Sequence, residues 1–72
     1  MNGREFIRKV RKIERKNGVE VFVETTHGKG SHVRLFYGRR QTTVKHGEFA
    51  APLLRSMLAD LGISRDEFGE GR

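Results

Sequence analysis

The sequence predicts an α+β domain of order helix, three strands, helix, with a three-stranded antiparallel sheet carrying two helices on one face. Three observations carry this reading. Apolar residues recur at helical spacing near both ends of the chain, apolar and polar residues alternate in the middle, and glycines mark the boundaries. With 72 residues the chain has room for a single domain, residues 1–72. At that size folding buries only about 60–65% of the surface the unfolded chain exposes, so the core is thin.

The first helix starts at Asn2-Gly3-Arg4-Glu5, where Asn2 can accept from an orphan amide and Glu5 can reach back to close a capping box. Phe6, Ile7, Val10 and Ile13 follow as one apolar stripe. Arg8, Lys9, Arg11, Lys12, Arg15 and Lys16 occupy the other face, and Asn17-Gly18 ends the helix with a residue free to turn left-handed. The period then changes. Val19, Val21 and Val23 alternate with Glu20, Phe22 and Glu24, a strand pattern. Thr25 to Ser31 reads as a polar, glycine-containing loop.

His32 to Tyr37 alternates again, with Val33, Leu35 and Tyr37 on one face and His32, Arg34 and Phe36 on the other. Gly38 marks a tight turn into Gln41-Thr42-Thr43-Val44, a short third strand. Loops this short exclude crossovers, so the strands form an antiparallel meander. A second helix begins near Ala50, with Pro52 suited to its first turn. Leu53, Leu54, Met57, Leu58 and Leu61 form its apolar stripe and Gly62 ends it. Ser64-Arg65-Asp66-Glu67 has the pattern of a capping box for a last short turn, with Phe68 folding back, and residues 70–72 read as a frayed tail.

Composition narrows the function. The net charge is +6 and the sequence pI about 10.5, as in proteins that bind phosphate backbones, where each Lys or Arg contact releases condensed counterions. A solvated basic surface or an acidic protein partner is the competing explanation. There is no cysteine, which excludes disulfides, thiolate zinc sites and cysteine nucleophiles. No stretch approaches the roughly 18 apolar residues of a membrane span. Arg4, Arg8 and Lys9 break up any secretory signal, so a soluble, cytoplasmic protein is expected.

Acid–base chemistry near neutral pH falls to the three histidines. His32 follows Gly28-Lys29-Gly30-Ser31 at the start of the second strand, with Arg34 on its own face and Lys29 just upstream. Cations that hold a phosphate beside an imidazole that moves a proton suit a phosphodiester, although a lone strand histidine is more often an ordinary half-exposed residue. His27 lies in the loop, where solvation is the simpler role, and His46 reads as a capping or packing residue near the second helix. No histidine pair has ligand spacing, so neither a metal nor another cofactor is expected. Arg39 and Arg40, at a hairpin tip, are further phosphate candidates. The basic face of the first helix suits RNA docking or plain solubility, with Glu14 placed to pair with neighbouring cations. Phe22 and Phe36 either stack bases on an open sheet face or pack under a helix.

These features taken together resemble the HicA family of small toxins. The resemblance spans nearly the whole chain: the first helix ending in Asn17-Gly18, the Gly30-Ser31-His32 triplet, Val44-Lys45-His46, and the run Leu54 to Ser64 followed by Phe68. It implies a double-stranded-RNA-binding-domain-like fold and a metal-independent endoribonuclease, an mRNA interferase of a type II toxin–antitoxin module. It also implies His32 as catalytic residue, and a HicB-type acidic antitoxin as partner beside mRNA. Lys29, Ser31, Arg34, Arg39 and Arg40 are then the candidates for binding RNA phosphate. The chain departs from the family pattern at Val33, where a second histidine is frequent, at Val44, where proline is common, and in a longer loop from Thr25 to Lys29. A non-catalytic RNA-binding module and a small ribonucleoprotein component or basic protein-interaction domain are the alternatives.

Overall fold

The computed structural model describes residues 1–25 and 32–69. The order is α1 (Gly3–Asn17), β1 (Val21–Thr25), β2 (His32–Tyr37), β3 (Arg40–Lys45), α2 (Ala51–Leu61) and α3 (Arg65–Phe68). The strands form one antiparallel sheet in the order β1-β2-β3. This is the expected helix, three strands, helix, and α3 is the last short turn expected after Ser64, with Phe68 buried. No helix among the described residues is long and apolar enough to cross a membrane.

Local chemistry accounts for the ends of α1. The Asn2 side chain accepts from the Glu5 amide at 2.9 Å, and the Asn2 amide donates back to the Glu5 carboxylate at 3.3 Å. At the other end Gly18 takes φ 68° and its N–H donates to the Glu14 carbonyl. The Ser64 hydroxyl caps α3 by accepting from the Glu67 amide. The Glu67 carboxylate, expected to complete that box, instead accepts from the Asn17 side-chain amide, which also donates to the Tyr37 hydroxyl. One amide thereby ties α1, β2 and α3 together.

The strand boundaries shift slightly from those the alternation predicts. Pairing of Val21 with Tyr37 starts β1 at Val21, and the Gly38 N–H donates to the Glu20 carbonyl just beyond the ladder. β3 gains a residue at each end because Gly38-Arg39 makes a two-residue turn. Gly38 supplies a positive φ of 62° and Tyr37 pairs with Arg40.

One face of the sheet is buried. Val21, Val33, Leu35, Tyr37 and Val44 pack in one cluster with Phe6, Val10 and Ile13 of α1 and Leu54, Met57, Leu58 and Leu61 of α2. Phe6, Val10 and Leu35 are fully buried, and each such side chain contributes about 1.5–3 kcal/mol through removal from water. Phe6 also meets Phe49 edge-on at 6.2 Å and Phe68 at 5.2 Å. Thr42, a polar side chain buried among the described residues, donates to Asp60 of α2 at 2.8 Å, so its burial leaves no unmade bond.

The start of α1 lies directly on the end of β3. A Cβ at Gly3 would stand 2.5 Å from the Lys45 carbonyl oxygen, so only glycine fits. The segment after β3 runs along the same place, with the Gly3 N–H donating to the Gly47 carbonyl at 3.2 Å and Asn2 bridging to Glu48. This junction carries Arg4, Lys45 and His46 to one end of the sheet.

Candidate functional site

Strand alternation divides the sheet residues between two faces. Against the buried valines, the open face carries Phe22 and Glu24 of β1, His32, Arg34 and Phe36 of β2, and Gln41, Thr43 and Lys45 of β3. All of these are exposed except Phe36, which is half-buried. His32 opens β2 and is exposed there, so the imidazole stands on the outer face at a strand mouth, as expected.

The register supplies a neighbour that the sequence reading passed over. Lys45, the last residue of β3, lies directly across from His32. Opposite residues in an antiparallel ladder share a face with Cβ atoms about 5 Å apart. Arg34 is the next residue of β2 on that face, between Glu24 of β1 and Thr43 of β3. Glu24 faces Arg34, yet the two form no ion pair within 4.0 Å, and Arg34 is exposed. The signal for Lys45 was present in the sequence. A two-residue turn at Gly38-Arg39 pairs Tyr37 with Arg40, and counting outward along both strands brings His32 opposite Lys45.

The other predicted residues separate into three groups. Lys29 and Ser31 lie outside the described residues, as does His27. Arg39 and Arg40 are at the opposite end of the β2–β3 hairpin from His32, about 17 Å away along the strand. The Arg40 side chain lies against Gly62, with its Nε 2.9 Å from where a Cβ there would stand, so it covers the C-terminal end of α2. A cation there complements the helix dipole. His46 is exposed and sits beside the start of α1, where sequence placed it near the second helix. With Gly3, Arg4, Ile7, Val33, Val44 and Lys45 it lines a groove of about 130 Å³. That is well below the roughly 300 Å³ and more of a small-molecule site. The groove is therefore too small to enclose a ligand of that kind. Its cations are Arg4 and Lys45, beside His46.

The basic face of α1 belongs to the other side of the molecule. Phe6, Val10 and Ile13 turn inward, so Arg8, Arg11, Lys12, Arg15 and Lys16 point away from the sheet. Lys9 is partly used within the fold, with its ammonium 5.2 Å from the centre of the Phe68 ring. Glu14 makes no ion pair with these cations among the described residues. The α1 face is therefore a second positive surface, separate from the open sheet face that carries His32.

Phe22 and Phe36 settle on the open face. Their rings are 5.9 Å apart at 41°, and Phe22 is 58% exposed. Leaving such a ring in water forgoes much of the roughly 1.5–3 kcal/mol that burial brings.

No family model, characterised protein or solved structure matches this chain.

Proposed function

We propose that this protein is a metal-independent endoribonuclease, the toxin component of a type II toxin–antitoxin module of the HicA kind. On this reading its fold is double-stranded-RNA-binding-domain-like, it acts in the cytoplasm, and mRNA is its substrate. The observation that carries the reading is the exposed His32 at the start of β2, with Lys45 directly opposite and Arg34 on the same open face.

The chemistry follows from what RNA brings. Its 2′-hydroxyl is the nucleophile, so the enzyme need only take that proton, stabilise charge on phosphorus and protonate the leaving oxygen. His32 takes the proton as the 2′-oxygen bonds to phosphorus, and the bond from phosphorus to the 5′-oxygen breaks. The ammonium of Lys45 and the guanidinium of Arg34 hold the phosphate oxygens as charge builds on them. A second group, water or a lysine, gives the leaving oxygen its proton. With one imidazole for two transfers the enzyme is slow. A HicB-type acidic antitoxin would silence it by covering His32 and the positive end of the sheet, since opposite charge both speeds association and displaces RNA.

A non-catalytic RNA-binding module is the second reading, favoured by the exposed Phe22–Phe36 pair, which suits binding without any chemistry. Scission of an unstructured RNA in EDTA separates the two. The nuclease cuts it and leaves the matching 2′-deoxy strand intact, because the internal nucleophile is missing. Binding without cleavage would overturn the enzymatic reading and leave the module. Equal cleavage of the deoxy strand would overturn the mechanism.

A further inference from the structure

Resting on the reading that this face binds RNA, we propose that Phe22 and Phe36 form a base-stacking platform that selects single-stranded RNA. The strand would run along β2 with one base on the aromatic pair and its phosphates over Arg34 toward Lys45 and His32. Three observations place these groups on one track. Phe22 pairs with Phe36 across β1 and β2, Arg34 lies two residues along β2 on the same face, and His32 with Lys45 lies two further on. The rings stand about 13 Å from His32 along the strand, a span of a few nucleotides. Phe22 leaves 58% of its surface in water, with its ring tilted 41° to Phe36, so a planar face is open to a ligand.

Charge and shape both favour a nucleic acid as occupant. An apolar pair continuous with cations matches the alternation of base and phosphate, and every base offers a π-face. A duplex keeps its bases stacked on each other and offers this pair nothing. The platform therefore discriminates strand state, and sets the distance between a held base and the phosphate at His32.

The test measures affinity of the His32→Ala protein, which binds without cutting, for three fluorescent probes: a single-stranded oligouridine, the same backbone without bases, and an RNA duplex. The proposal expects Phe22→Ala to weaken oligouridine binding about tenfold or more, Phe22→Tyr to restore it, and both variants to bind the abasic strand and duplex as the parent does. Phe22 is exposed, so folding is retained, and circular dichroism checks this. Unchanged oligouridine affinity would overturn the platform while leaving RNA binding intact, as would an equal loss for all three probes. If the parent binds none of the probes, the RNA reading itself fails and the platform with it. Loss of binding to an acidic protein partner, with RNA affinity unchanged, would assign the rings to a protein contact instead.

Discussion

A lysine ammonium directly across an antiparallel ladder from an imidazole can touch the same phosphate that the imidazole serves. On the proposed reading, that geometry adds Lys45 to the phosphate candidates Lys29, Arg34, Arg39 and Arg40 that the sequence offered. Lys45→Ala is expected to slow RNA cleavage about tenfold or more, by analogy with loss of a group that stabilises transition-state charge, and to leave thermal unfolding nearly unchanged. Arg40→Ala should behave in the opposite way. Its side chain covers the end of α2, so the variant should lose about 0.3–1 kcal/mol of stability and cleave RNA within twofold of the parent. Reversal of these two outcomes, read from initial rates and melting curves, would move the phosphate site to the hairpin turn. His32 was legible from its neighbours in sequence because alternation alone set its face. Lys45 needed the register, which depends on the turn length at Gly38.

Among the elements, the contact between α1 and β3 decides how the positive end is assembled. Gly3 meets the Lys45 carbonyl so closely that a methyl group would stand 2.5 Å away. Alanine is the better helix former by at most about 1 kcal/mol, whereas overpacking of this kind costs about 1–3 kcal/mol. Gly3→Ala should therefore lower stability in thermal or urea unfolding and displace Lys45 enough to slow cleavage. A stabilised variant would show that the approach is looser than described. The caps of α1, the boundaries of β2 and most of the apolar stripes were readable because capping and periodicity are local, but Leu53, counted in the α2 stripe, is exposed. Three features were not. The Asn17–Glu67 contact joins residues fifty apart, the docking of Gly3 on Lys45 depends on packing of α1, and the position of His46 follows from that docking.

The whole molecule is two layers thick, with cations on both outer surfaces. α1 carries one set on its outward face, and the open side of the sheet carries the other beside His32. Overall charge raised the expectation of nucleic-acid binding from composition, but only the layering assigns the charges to sides. Single-stranded RNA affinity should fall with salt at a log–log slope of about −0.7 per phosphate contact. Lys45→Ala should flatten that slope by about one contact, and a charge change on the α1 face, such as Lys12→Ala, should leave it unaltered. Equal flattening by both would mean that the strand wraps around the molecule.

The most direct test of the account is the cleavage rate of an unstructured RNA, in EDTA, by the parent and by His32→Ala, with circular dichroism confirming that both are folded. The account predicts that the variant loses cleavage while still binding the RNA. Cleavage by the variant at the parent's rate would contradict it.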